Sequence, residues 1–458
     1  MEKNRSSFTG KLGFVLAAAG SAVGLGNLWR FPYLAAQHGG GIFLLVYVIL
    51  SVTFGFSLMI AEISIGRKTG LSAIGAFQKL NKKWSFVGYI AALIPALILP
   101  YYSVIGGWVI KYLTVFVSGN AGTAANDGYF EGFIGSTGQS LAFFAIFIAL
   151  TALVVLFGVE KGVEKVSKVM MPVLVVLSIG IAAYVCISNA VKGEWDGILY
   201  YIKPDFSNFS IMTVVAAMGQ LFYSMSLAMG IMITYGSYMK KDVSLESAAH
   251  QIEFFDMGIA FLAGLMIVPS VVSYSGIDGL NKGPGLMFVT LPKVFNDMGP
   301  VAGNILGAIF FTLVLFAALT SSISLMETVV SIIQDKFHIE RKITCLIVLG
   351  GSFVIGLPSA LGFGVWSGVT PIGMDILTFF DFVTNSVLMP IAAILTCILI
   401  CYVLKPKAIV EEVEVTGRFK LKKLFTVMIY AAPVLLLIIL AFAIFEAFGI
   451  TFGGFLKF

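Results

Sequence analysis

The chain has 458 residues, 59% hydrophobic and only 12% charged, with a net charge of +5 and a mean hydropathy of +0.98. Soluble domains carry about 25% charged and 45–50% apolar residues, so this is the composition of a polytopic membrane protein. The basic excess is then a matter of topology, with no bearing on nucleic acid.

Four cysteines (Cys186, Cys345, Cys397 and Cys401) lie within apolar segments and show no disulfide or zinc spacing, and three scattered histidines argue against a metal centre. The N-terminal stretch MEKNRSSFTGK is polar and basic. The apolar run after it is too long and too broken for a signal peptide, and no cleavage site follows, so a retained first span is expected.

At about 20 apolar residues per crossing, the sequence predicts eleven spans. They cover 12–37, 41–67, 86–118, 139–158, 165–188, 209–238, 246–275, 302–337, 342–359, 374–404 and 421–447. Of 29 Lys and Arg residues, 22 fall in segments on one side if the N-terminus is cytoplasmic, and five fall on the other. The positive-inside bias then places the N-terminus inside and the C-terminus outside. The expected location is the plasma membrane, the inner membrane of a bacterium.

Span 1 contains GSAVGLGNLWRFP, residues 20–32, and span 6 contains FYSMSLAMG, residues 222–230. Small residues in membrane helices often serve only close packing. Two matched interruptions, an odd number of spans apart, instead point to an inverted repeat with a midplane binding site. A half-helix ending near Val23 frees carbonyls, and one starting near Leu25 frees N–H groups. The first end suits a hard cation and the second a carboxylate.

With these breaks, the chain resembles the neurotransmitter:sodium symporter family. The carriers are GSAVGLGNLWRFPYLAAQHGGGIFLLVY, MIAEISIGR, PYYSVIGGW, YYIKPDFSNF, MGQLFYSMSLAMGIMITYGSY and FAALTSSISLME. The resemblance implies an all-α LeuT fold in one transporter domain, 1–458. It comprises a first inverted repeat at 12–188, a second at 209–404, and one further span at 421–447. The family usually has twelve spans; some bacterial members have eleven.

The resemblance also implies the sites. One sodium ion is expected on Gly20, Val23, Ala317, Thr320 and Ser321, and a second on Ala22, Asn27, Ser224 and Asp256. Many relatives carry asparagine at the place of Asp256. A permanent carboxylate there implies chloride-independent transport. The substrate pocket is expected at Ser21, Ala22, Leu25, Gly26, Ile98, Tyr102, Tyr223, Ser226, Met229, Ser322 and Leu325. The N–H groups of Leu25 and Gly26 and the hydroxyl of Tyr102 suit a substrate carboxylate, and Ser226 faces the ammonium. Gly24 stands where monoamine carriers have aspartate, and the pocket carries no charge for an ionic side chain. A hydrophobic L-amino acid, aliphatic or aromatic, is therefore expected.

Arg30 and Asp381 match an outer gate pair, and Arg5 and Asp335 an inner pair, with Ser237 and Tyr238 alongside. Plain interfacial charge is the alternative for Arg5 and Asp335. Glu62 is expected to accept hydrogen bonds from the broken helices. Gly162 and Pro172 bracket a stretch of span 5 that relatives unwind; an ordinary proline in the first helical turns is the alternative. Ala228 stands where glycine is usual. A monomer is expected to suffice for transport. The rival is a proton-coupled or exchange amino-acid carrier of the same architecture. An intramembrane enzyme would need a nucleophile–base or metal constellation, and none is evident in the sequence.

Overall fold

The computed structural model describes residues 7–276 and 285–448. Among these the chain is helical, with one isolated bridge between Gly40 and Pro204. Arg5, expected at the inner gate, lies outside the described residues.

Nine described helices are long and apolar enough to cross a bilayer. They are Gly41–Thr69, Lys82–Val117, Thr137–Leu156, Val159–Lys192, Leu245–Tyr274, Pro300–Phe337, Arg341–Leu361, Ile376–Leu404 and Lys422–Phe445. A tenth crossing is a bent pair, Lys11–Ala22 and Gly26–Gln37, turned by 50°. The expected eleventh, span 6, does not meet the length criterion, because its break leaves two short helices, Ile211–Ser224 and Ile231–Ser237. By length and composition, nine helices and one bent pair among the described residues are thus suited to cross, which does not by itself confirm the expected eleven.

Local sequence explains the main turning points. Val23 leaves the helix with φ −78° and ψ 98°, and Pro32 opens the following turn, where its missing N–H costs least. Gly70 closes span 2 in the left-handed conformation, its N–H donating to Gly66 O at 2.8 Å. Ser210 and Thr213 form a reciprocal cap at the start of span 6.

Span 5 departs from expectation. The residues around Gly162 are not unwound: Val159–Glu164 is a π-helical turn running straight into Lys165–Lys192, with Pro172 inside that helix. Gly162 is needed there for a different reason, since a Cβ would overlap the Val154 carbonyl at the end of span 4.

The first half of span 1 lies at the centre, packed against spans 5, 7 and 8. The Ile231–Ser237 half of span 6 lies along span 2, with Gly66 and Gly236 at backbone-to-backbone approach. Apolar side chains on spans 5, 9 and 11, such as Val176, Leu346 and Leu437, point outwards, where lipid rather than protein covers them.

A buried ion pair anchors one end of this assembly. Arg67, at the end of span 2, donates Nε to Glu412 at 2.8 Å and Nη1 to Val243 O at 2.8 Å. Lys241 reaches the same carboxylate at 2.6 Å. Removing one partner of a buried pair leaves a stranded charge, so Glu412→Ala should destabilise the protein by about 3 kcal/mol. A thermal melt of the detergent-purified protein reads this as a lowered Tm. Glu414→Ala, at the half-exposed Glu414–Lys422 pair, should leave Tm nearly unchanged.

Candidate functional site

The two helix breaks face each other. Span 1 opens over 23–25, and span 6 over Met225 to Gly230. In the second break Ser226 and Ala228 have φ of 53° and 63°, a left-handed conformation that costs a non-glycine residue about 1–2 kcal/mol. Neighbours hold it. The carboxylate of Glu62, buried on span 2, accepts the Ala228 N–H at 2.6 Å. Ser226 Oγ donates to Ser21 O at 3.0 Å, and the two serine hydroxyls lie 3.1 Å apart. The Glu62 hydrogen bond goes to the span 6 break.

Between the breaks is a cavity of about 30 Å³, the room of roughly one water molecule. It is lined by Ser21, Ala22, Leu25, Gly26, Ile98, Tyr102, Tyr223, Ser226, Met229 and Leu325, and also by Gly24, Asn27, Ser224, Ile231 and Ser321. Ser322 is the one expected pocket residue that is not there. Its hydroxyl is 2.8 Å from Thr151 on span 4 and donates to Leu319 O at 3.0 Å, because the rotation that aims Ser321 at span 1 turns Ser322 away. The Leu25 N–H donates to Tyr102 OH at 3.2 Å, leaving the tyrosine proton for another acceptor.

Two oxygen clusters flank the cavity. In the first, Ser321 Oγ lies 3.4 Å from the carbonyls of Gly20 and Val23 and 3.0 Å from that of Ser21. Thr320 is adjacent but its hydroxyl bonds back to Phe316 O and Ala317 O at 3.0 and 3.1 Å. In the second, Asp256 is fully buried. Its Oδ1 accepts from Ser224 Oγ at 2.5 Å and from Asn27 Nδ2 at 2.7 Å, and its Oδ2 accepts from Tyr47 OH at 2.8 Å. Asn27 Oδ1 meanwhile accepts the Gly24 N–H at 3.0 Å. A cation beside Asp256 would take the place of the Asn27 NH2, and the amide would turn its oxygen inwards. Ala22 lines the cavity between the two clusters. Among the described residues no group of three His, Cys, Asp or Glu side chains forms a transition-metal site. Carbonyls, hydroxyls and one carboxylate instead make a donor set for a hard monovalent cation.

Arg30 and Asp381 are expected to close an outer gate through water or a direct ion pair. Arg30 and Asp381 form no direct ion pair. The Arg30 guanidinium lies 5.4 Å over the Tyr223 ring, and Asp381 Oδ1 accepts from Tyr101 OH at 3.2 Å and Asn385 Nδ2 at 2.5 Å. On the other side Asp335 accepts from the Ser72 N–H at 2.8 Å and its hydroxyl at 2.6 Å. Tyr238 donates to Glu327 at 2.8 Å, and Glu327 also pairs with Arg341. Phe8 is buried, its N–H donating to Tyr238 O at 3.1 Å, and its ring packs on Phe14, Tyr235 and Tyr238. Ser237 bonds only its own helix, at Thr234 O.

Sequence reasoning missed Tyr47, Gln220, Tyr101 and Glu327. Gln220 donates to Gly26 O at 2.9 Å and so holds a freed carbonyl of span 1. Glu327, an acid within a long apolar helix, carried a signal that could have found it. Nothing distinguishes Tyr47 from the other tyrosines until the fold brings it to Asp256.

Comparison with known proteins agrees with this geometry. The profile of the Sodium:neurotransmitter symporter family matches residues 5–124 and 130–456. A sodium-dependent transporter of Haemophilus influenzae is 32% identical over 453 residues, covering 95% of this chain and 98% of that protein. The sodium-dependent transporter YhdH of Bacillus subtilis is 36% identical, covering 87% of this chain and 88% of that protein. The crystal structure of MhsT in complex with L-phenylalanine superposes with a TM-score of 0.87 at 36% identity, covering 96% of this chain and all of that one.

Gly24 lies where both clusters and the cavity meet. A Cβ there would fall 2.5 Å from Ser321 Oγ and 3.1 Å from Tyr102 OH. Gly24→Ala should therefore weaken sodium-dependent ligand binding by about 10- to 100-fold, the equivalent of about 1–3 kcal/mol of overpacking. Equilibrium binding to the purified, monodisperse variant measures it.

Proposed function

We propose that this chain, which belongs to the sodium:neurotransmitter symporter family, imports a hydrophobic L-amino acid together with sodium by alternating access. The family consists of secondary transporters, not enzymes, and the all-helical architecture is that of the LeuT fold. One observation carries the reading. The cavity lies where the Leu25 N–H meets the Tyr102 hydroxyl, and two of its lining side chains, Asn27 and Ser224, are bonded to the buried Asp256 carboxylate.

In this reading the amino-acid carboxylate replaces the Leu25–Tyr102 bond, taking both donors at the positive end of the second half of span 1. The ammonium group sits against Ser21 O and Ser226, at the carbonyl-bearing ends of the breaks. The side chain lies among Ile98, Tyr223, Met229 and Leu325, where no ionised group is available to pair with a charged one. The binding of L-phenylalanine by MhsT supports an aromatic or aliphatic choice.

Sodium is the co-transported substrate. One ion is assigned to Ala22, Asn27, Ser224 and Asp256, and a second to Gly20, Val23, Ala317, Thr320 and Ser321. At the first, the carboxylate of Asp256 balances the ion in a low-dielectric setting, so no chloride is required. At the second, all ligands are neutral, which favours release of the ion once the helices part. The amino terminus is assigned to the cytoplasm, from the distribution of Lys and Arg, and one monomer to a complete pathway.

Binding of radiolabelled amino acids to the purified protein tests the substrate. Leucine, phenylalanine, tyrosine or tryptophan should bind in sodium and not in potassium. Tight binding of lysine or glutamate, or uptake driven by a proton gradient without sodium, would overturn the reading. The role of Asp256 is tested separately in proteoliposomes. Wild-type uptake should be the same in chloride and in gluconate. Asp256→Asn should lose most uptake in gluconate and regain part of it in chloride. An Asp256→Asn variant with unchanged sodium dependence and unchanged indifference to chloride would remove that carboxylate from the mechanism.

A further inference from the structure

Away from the central site, a cavity of about 660 Å³ lies between the first turns of span 7 and the segment that leads into span 11. Its lining combines two chemistries: Arg418 and Lys420 on the segment before span 11 bring cationic groups, while Phe254 and Phe255 on span 7, with Leu421, bring apolar ones. Phe254 is 72% exposed although it lies on a helix of membrane-crossing length. Lys422 begins span 11, so the cationic groups lie at the level where the chain enters the bilayer. The cavity thus combines cationic groups near the start of span 11 with an exposed phenylalanine on a helix of membrane-crossing length.

The charges are unequal. Glu246 is an acid in the wall, but its carboxylate is taken by the backbone N–H groups of Lys420 and Leu421 at 3.1–3.2 Å. The side chains of Arg418 and Lys420 have no ion-pair partner among the described residues. Lys422, the next basic residue along the chain, is engaged by Glu414 at 3.6 Å. Two free cations at the membrane surface, next to an exposed phenylalanine ring, match a molecule with an anionic head and an apolar tail. A soluble anion would use only the first feature, and an apolar protein helix only the second.

We propose that this cavity binds one anionic phospholipid, with its phosphate on Arg418 and Lys420 and an acyl chain along Phe254. Basic pockets beside membrane helices are suited to such headgroups, each cation at the surface contributing about 1 kcal/mol. The lipid bridges span 7, which carries Asp256, to the segment before span 11. This inference stands independently of the amino-acid and sodium assignments.

The test uses the full-length chain, purified in detergent with equal amounts of phosphatidylglycerol and phosphatidylcholine, and read by native mass spectrometry. One phosphatidylglycerol should be retained with a preference of about 10- to 30-fold, as two surface cations imply. Arg418→Gln with Lys420→Gln should bring the preference close to one. Phe254→Ala should lower retention of the diacyl lipid while leaving water-soluble glycerol phosphate unretained, as in the wild type. Lys82→Gln with Lys83→Gln, an exposed basic pair elsewhere, should leave the preference unchanged. Gel filtration and Tm confirm that each variant is folded. Equal retention of phosphatidylcholine, an unchanged preference in the Arg418/Lys420 variant, an equal loss in the Lys82/Lys83 variant, or retention of glycerol phosphate would each overturn the proposal.

Discussion

The structure depends on one constraint: a backbone N–H or C=O freed inside a bilayer must find a partner within the protein. Two helices break at the same depth here, and each break frees several such groups. Each break supplies part of what the other lacks. The Ser226 hydroxyl of span 6 serves the Ser21 carbonyl of span 1, Gln220 of span 6 serves the Gly26 carbonyl, and Glu62 of span 2 serves the Ala228 N–H. The groups that remain turn towards a shared space, and that space becomes the candidate site. The breaks, the oxygen clusters and the cavity coincide because all three are made of the same freed groups.

The same constraint explains the placement of charge. Asp256 is fully buried, and three side-chain donors from spans 1, 2 and 6 converge on its carboxylate. Hydrogen bonds of this kind offset part of the cost of burying an ion, though they leave its net charge in place. A small cation would complete the balance. The Gly20–Ser321 cluster, by contrast, has no formal charge and offers only dipoles.

Rigidity and mobility are also distributed by chemistry. Arg67, Glu412 and Lys241 lock the end of span 2 to the helix after span 10 through a buried, multiply bonded charge network. Beside the cavity the contacts are of another kind: Arg30 rests on the Tyr223 ring, and Asp381 on two neutral donors. Contacts of the second kind part at smaller cost than a buried charge network.

The amino-acid sequence by itself determined the membrane class, the extent of nearly every crossing and the positions of both breaks. These follow from composition and from local rules for glycine, proline and apolar length. The residues matched to the family, such as Asn27, Ser224, Asp256 and Ser321, do meet in space. Tertiary structure alone decided which face of each helix looks inwards. It turned Ser321 to span 1 and Ser322 to Thr151, brought Tyr47 to Asp256, placed Arg30 on an aromatic ring rather than on Asp381, and kept span 5 helical through Gly162. Periodicity along one helix says what repeats on a face. The rotation of that face about the helix axis is set by the neighbours it packs against, and those belong to distant parts of the chain.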